Sequence, residues 1–151
     1  MALVEAEAFA VTKELMETHL AIFQQRGFLL LERIFGKNSA GWPKLTFRFI
    51  EERANLRLRV LFSISAPQTK GIFVVRIDNS RKETLDVEDY LRLHGDAAEA
   101  SLFVCTKDVP DFTKYVESFL SMLDRVFENQ LKPILSGDKW ESTPIDWQGY
   151  K

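Results

Sequence analysis

The stretch KLTFRFIEERANLRLRVLFSISAPQTKGIFVVRID, residues 44–78, decides the fold of this chain. It contains three runs in which large apolar residues alternate with other residues at a period of two. That period is typical of a β-strand with one buried face. Because the connections between the runs are short and polar, the sequence predicts three consecutive antiparallel strands, a β-meander.

Arginines occupy the outward positions of the predicted strands, whereas aliphatic residues and phenylalanines occupy the inward positions. The outward arginines are Arg48, Arg57, Arg59 and Arg76, and the apolar residues Ile50, Leu61 and Val74 point outward with them. Guanidinium groups suit carboxylate or phosphate recognition through paired hydrogen bonds. A mixture of arginines and apolar residues is more typical of an interface than of a fully solvated sheet.

The loop lengths suggest a register for this meander. With residues 51–54 as the first loop and 66–71 as the second, the sequence predicts that Arg48 lies directly opposite Arg57. Like charges opposite one another repel across strands. This pair therefore indicates that an acidic group covers the face, unless the face is simply solvated and balanced by nearby carboxylates.

The segments around the meander predict helices. Residues 9–25 and 112–131 carry apolar residues at three- and four-residue spacings, as amphipathic helices do. Residues 28–35 are compatible with either a strand or a helix, and 101–106 with a short strand. The predicted fold is α+β: an antiparallel sheet with the meander at its centre and helices on one face, including a long C-terminal helix.

Helix caps and the tail complete the predicted layout. We expect Asp86 to start a short helix and Asp108 to cap the long one, with Pro110 in its first turn. Residues 1–135 are predicted to form a single domain, and 136–151 an aromatic tail docked on it. Trp140, Trp147 and Tyr150 make this tail too apolar for a free linker, and its rings could cover the arginines through cation–π contacts.

Charge is unevenly distributed although the net charge is only −2. Residues 44–78 contain seven Lys/Arg and three Asp/Glu, so this segment is basic. Residues 83–151 contain seven Lys/Arg and fourteen Asp/Glu, so the last part of the chain is acidic. An acidic chain argues against nucleic acid as a partner, and so does the lack of aromatic residues among the outward arginines. No signal peptide or membrane-spanning run is recognised, and Cys105 reads as a buried thiol, so the predicted location is cytoplasmic.

Few residues suggest catalysis or metal binding. The two histidines, His19 and His94, stand in predicted helices without metal-ligand spacing, and Cys105 is the only cysteine. No nucleophile elbow, phosphate loop or dinucleotide fingerprint is present. The sequence therefore predicts no catalytic residues, no cofactor and no metal, and favours a non-enzymatic protein while leaving an enzyme open.

The first functional hypothesis is a protein-interaction module that binds an acidic or mixed apolar and acidic surface, including a second copy of itself. Its candidate contact residues are Arg48, Arg57, Arg59, Arg76, Leu61, Trp140, Trp147 and Tyr150. In size, acidity and layout alone the chain resembles toxin-neutralising immunity proteins and secretion chaperones. The alternative is a domain that binds a small ligand or anion in a pocket between the long helix and the sheet. An enzyme of unrecognised class is one form of this alternative.

Overall fold

A computed structural model describes residues 5–37, 40–65, 70–106, 111–137 and 139–143. The strands are β1 (Leu29–Lys37), β2 (Pro43–Glu51), β3 (Leu56–Ser65), β4 (Lys70–Asp78), β5 (Thr84–Asp86) and β6 (Val104–Thr106). The helices are α1 (Glu5–Thr18), α2 (Ala21–Gln24), α3 (Val87–Leu93), α4 (Ala97–Ala100), α5 (Phe112–Glu128) and α6 (Lys132–Leu135).

The strands form one antiparallel sheet of six strands in the order β1-β2-β3-β4-β5. The remaining strand, β6, pairs with the first residues of β4, while β5 pairs with its last residues. This arrangement confirms the predicted α+β fold with a central meander and a long C-terminal helix. It also decides the ambiguous segment 28–35, which lies in strand β1.

The register predicted for both hairpins is wrong by two residues. Glu51 pairs with Leu56, so the first loop is residues 52–55, and Arg48 lies opposite Arg59 rather than Arg57. A slip of two residues keeps every side chain on the same face of the strand. The prediction of which residues point outward therefore survives, although their cross-strand partners change.

Several element boundaries also differ from those predicted. The first helix stops at Thr18, and a separate short helix follows from Ala21 to Gln24. The long helix is capped by Asp111, which accepts a hydrogen bond from the Lys114 amide at 3.1 Å. The predicted cap at Asp108 and the predicted first-turn Pro110 lie outside the described residues.

The region after the meander was predicted only in part. Asp86 does cap α3, accepting a hydrogen bond from the Asp89 amide at 3.1 Å. Strand β5 was not predicted, since its three residues are too few to show a period. Within 101–106, residues 101–103 form a 3-10 turn, and only the last three residues are a strand.

Aromatic side chains fill the space between the sheet and the helices. The ring of Phe73 on β4 stacks on Phe119 of α5 with centroids 4.0 Å apart, and Phe62 on β3 contacts Phe9 of α1 at 5.4 Å. Phe49 stacks on Phe23 at 4.6 Å. This layer buries the inner face of the meander, so the arginines point to the opposite face, called here the open face.

The turn between β2 and β3 is held by the buried carboxylate of Glu51. It accepts hydrogen bonds from the Ala54 amide at 2.8 Å and from the Arg53 amide and Nε at 3.2 and 3.0 Å. Burial raises the pKa of Glu51, but these donors outweigh burial and the net pKa lies below its ordinary value. Gly27 (φ +85°) packs against this carboxylate, where an added Cβ would lie 3.2 Å from Oε1.

We expect Glu51→Gln to lower the free energy of unfolding at pH 7 by about 1–2 kcal/mol, since hydrogen bonds to a charged acceptor are lost. Because the folded pKa of Glu51 is lowered, its stabilising contribution is present above the unfolded pKa and is lost as pH falls through the folded value. The difference from wild type, measured by urea unfolding, should therefore shrink below about pH 4. Glu52→Gln, at an exposed neighbouring position, is the control and should have little effect.

Candidate functional site: the arginine-bearing open face

Three arginines lie side by side across the open face. Arg48 on β2 is the cross-strand partner of Arg59 on β3, and Arg59 is in turn the partner of Arg76 on β4. The same line continues to Glu32 on β1 and to Asp86 on β5. The resulting line, called here the arginine row, has three adjacent cations with an acid at each end.

The acids neutralise only the ends of the arginine row. Arg48 Nη1 lies 2.9 Å from Glu32 Oε1 in an exposed ion pair, and such pairs contribute little to stability. Arg76 Nε lies 3.3 Å from Asp86 Oδ2, and both side chains are only 6% exposed. Arg76 thus lies in the row as expected from the sequence, but its side chain is largely inaccessible.

Arg59, at the centre of the row, is the unusual residue. Within the described part of the chain it forms no ion pair, and arginines flank it on both sides. Burial has the largest effect on the pKa of Arg59 and lowers it. Attraction by Asp78 comes next and raises the pKa, and weaker repulsion from Arg76 and then Arg48 lowers it again, so the net pKa is lowered. The charged form of Arg59 is therefore disfavoured in the fold, and a bound anion would relieve this.

Arg57 lies in the next line of residues on the same face. Its cross-strand partners are Ile50 on β2 and Asp78 on β4, and its side chain is exposed. The Asp78 carboxylate accepts a hydrogen bond from Thr84 Oγ1 at 2.6 Å. Arg57, which is exposed, and Arg59, which is half-buried, are thus neighbouring cations. Neither forms an ion pair among the described residues.

Two shallow depressions flank these cations. One, of about 460 Å³, is lined by Arg57, Arg59, Arg76, Asn79 and Lys82 among others. The other, of about 170 Å³, lies towards β1 and is lined by Leu31, Glu32, Arg48, Arg57, Arg59 and Asp78 among others. Both are open to solvent, and Arg57, Arg59 and Asp78 line both of them.

Apolar residues surround the arginine row. Leu61 lies between Thr46 and Val74 and is half-buried, as is Ile50. On β1, the side chains of Leu29 and Leu31 are 52% and 54% exposed. Sequence reasoning missed the β1 residues because the run FLLLERIF lacks a clear period of two, and a bulge at Leu31 explains that irregularity.

The described start of the C-terminal tail lies beside β5. The Thr143 amide donates to the Thr84 carbonyl at 3.1 Å, and the Asp86 amide donates to Thr143 Oγ1 at 2.7 Å. Trp140 is half-buried against the core. Trp147 and Tyr150, the other predicted contact residues of the tail, lie outside the described residues.

The alternative pocket was expected between the long helix and the sheet, lined by Tyr115 and phenylalanines. In the structure, Tyr115 donates its hydroxyl to the Leu102 carbonyl, and its ring packs 5.8 Å from that of Phe112. Burial raises the pKa of Tyr115 far above its ordinary value. These side chains and the Phe73–Phe119 stack pack between the long helix and the sheet.

The described residues offer neither a metal-binding cluster nor a membrane-spanning helix. None of their His, Cys, Asp and Glu side chains form a group of three or more that could hold a metal ion. None of the helices in the described ranges is long and apolar enough to cross a membrane.

Comparison with known proteins returned no relative. No protein-family model matches the chain, and no curated protein or solved structure matches it either. The function of the open face must therefore be argued from its own geometry.

We expect Arg59→Leu to raise the free energy of unfolding by about 0.2–1 kcal/mol, because it removes a cation held between two others. Urea or thermal unfolding at low salt measures the effect, and added salt should narrow the difference by screening the repulsion. Arg57→Leu, opposite Asp78, is the matched control and should not stabilise. A lower free energy of unfolding for Arg59→Leu would contradict the conclusion that repulsion within the arginine row destabilises the fold.

Proposed function

We propose that the protein is a non-enzymatic interaction module whose open face binds an acidic, partly apolar surface of another protein. The observation that carries the proposal is the position of Arg59 between Arg48 and Arg76. Evolution of a sheet for stability alone would not favour three adjacent cations, since each pair costs free energy. A partner carboxylate beside Arg59 would offset that repulsion.

The surroundings of the arginines favour a protein surface as the partner. Ile50, Leu61 and Val74 lie among the arginines and are half-buried, so a partner could bury them further. Interfaces are typically enriched in arginine and depleted of lysine, and they combine apolar contact with a few charged pairs. Base-stacking sheets carry aromatic residues between their cations, and no described open-face position from β2 to β4 is aromatic.

The experiment compares defined probes with matched variants. A glutamate–tyrosine copolymer, poly-glutamate and a single-stranded oligonucleotide are titrated against wild type and against Arg57→Glu/Arg59→Glu. We expect the copolymer to bind most tightly and the double variant to lose at least about tenfold in affinity, as charge reversal within an interface typically causes. Folding of each variant is checked by circular dichroism.

The control variant carries the same change in charge elsewhere. Lys114→Glu/Arg125→Glu alters two exposed cations on α5 and should retain wild-type affinity for the copolymer. Equal losses in both double variants would reduce the effect to net charge and contradict the proposal. Tighter binding of the oligonucleotide than of the copolymer would also contradict it, in favour of nucleic acid.

A second candidate function is recognition of a small anion at the 460 Å³ depression beside Arg57 and Arg59. Its volume falls within the range of small-ligand sites, and Lys82 joins three arginines in its lining, against one acid, Asp78. Citrate or inorganic phosphate would then raise the melting temperature of wild type but not of Lys82→Ala. If neither anion changes the melting temperature of wild type at low salt, small-anion recognition is excluded. The proposal of a protein partner is not affected by that result.

A cytoplasmic location accompanies the first proposal. Cys105 is buried, and burial raises the pKa of its thiol. A buried thiol of this kind is compatible with a reducing compartment such as the cytoplasm.

A further inference from the structure

Strand β1 is a long strand at the margin of the sheet. Eight of its nine residues pair with β2, Leu31 being the bulge, and within the described ranges no strand pairs with its other side. The opposite margin is different, since β5 and β6 have three residues each and Thr143 hydrogen-bonds to β5. A long unpaired edge offers a row of free backbone donors and acceptors to another strand.

Exposed apolar side chains concentrate on the same strand. Of the five large hydrophobic side chains that are exposed among the described residues, four lie on β1. They are Leu29, Leu31, Ile34 and Phe35, with Phe35 67% exposed. The fifth, Leu93, lies on α3. Proteins usually protect a free edge with charge, a bulge or shortness. Strand β1 carries Glu32, Arg33, Lys37 and a bulge, yet it keeps four exposed apolar side chains, which indicates an interaction site.

We propose that β1 pairs antiparallel with β1 of a second copy of this chain, joining the two sheets into one. The argument for a second copy, rather than another protein, is that one register of β1 with itself is complementary in charge and shape. The bulge at Leu31 interrupts regular pairing, which leaves residues 32–37 as the regular segment.

Only two registers pair five residues of that segment with itself while keeping side chains on matching faces. One is centred on Phe35 and the other on Ile34. Centring on Phe35 places Arg33 directly opposite Lys37 of the second copy, twice by symmetry, and like charges in that position repel. The register centred on Ile34 places no like charges opposite one another.

The register centred on Ile34 is also favourable in detail. Ile34 meets Ile34 of the second copy on the open face. On the inner face Arg33, which is ion-paired with Glu17 of its own chain at 2.6 Å, meets the exposed Phe35 ring of the second copy, where a cation–π contact can form beside that ion pair. Glu32 lies opposite Gly36 of the second copy. Because Gly36 has no side chain and pairs with Lys44, Glu32 can reach Lys44 of the second copy across it.

The symmetry has a consequence for the open face. Antiparallel pairing of two identical edges requires a two-fold axis perpendicular to the sheet, so both open faces lie on the same side. A partner on that side would then meet two arginine rows. Binding to both rows at once would be tighter than binding to one row. This consequence depends on the proposed function, whereas the pairing of β1 does not.

Mass measurement by sedimentation velocity tests the pairing on the full chain. We expect wild type to be a dimer of the 17.5 kDa chain at about 100 µM and to dissociate on dilution. Ile34→Lys places two cations against each other at the axis and should weaken dimerisation by at least about 100-fold. Leu93→Lys makes the same exchange at the exposed position on α3 and should remain dimeric.

Cysteine cross-linking tests the register. Opposite residues in a pair have Cβ atoms about 4.5–5.5 Å apart, close enough for a disulfide after small shifts. Ile34→Cys should therefore form a covalent dimer under mild oxidation, and Phe35→Cys should do so far more slowly. Cys105 is buried and serves as the internal background in both variants.

Three outcomes would overturn the proposal. Wild type could be a monomer throughout the concentration range, or Ile34→Lys could remain a dimer. Alternatively, Arg57→Glu/Arg59→Glu could dissociate the dimer while Ile34→Lys does not, which would place the self-interface on the open face. Loss of dimerisation in Ile34→Lys with retained copolymer binding separates this proposal from the proposed function.

Discussion

Burial of the inner face of the β2–β3–β4 meander is the constraint on which the other surfaces of this protein depend. Phenylalanines from α1, α2 and α5 pack against Phe49, Phe62 and Phe73 of these strands. Removing such rings from water is the main favourable contribution to folding. Because side chains alternate along a strand, this burial also directs every intervening arginine to the opposite face.

The arginine row follows from that alternation combined with the pairing of the strands. Each strand contributes one arginine at the same level, and neighbouring strands lie only about 4.8 Å apart. Glu32 and Asp86 neutralise the outer members of the row, so Arg59 is the member that forms no ion pair among the described residues. An unfavourable arrangement on a half-buried face is a reason to look for a binding partner, because stability alone does not account for it.

The β1 edge and the open face are separate surfaces that share one sheet. The edge has exposed apolar side chains and, among the described residues, no strand paired with its outer side, whereas the face carries charge. They therefore suit different contacts, one with an identical strand and the other with an acidic surface. Glu32 belongs to both, since it pairs with Arg48 on the face and would approach Lys44 of a second copy at the edge.

The sequence by itself determined the fold class, the meander and which residues of its strands point outward, because a period of two is a local property of the chain. Tertiary structure decided the register, since slips of two residues preserve the alternation; in the first hairpin the Glu51 carboxylate holds the observed turn through the Ala54 amide. It also decided that Arg76 is buried against Asp86, that 28–35 is an edge strand, and that β5 exists at all. Such features depend on neighbours distant in sequence, whose positions a local pattern cannot specify.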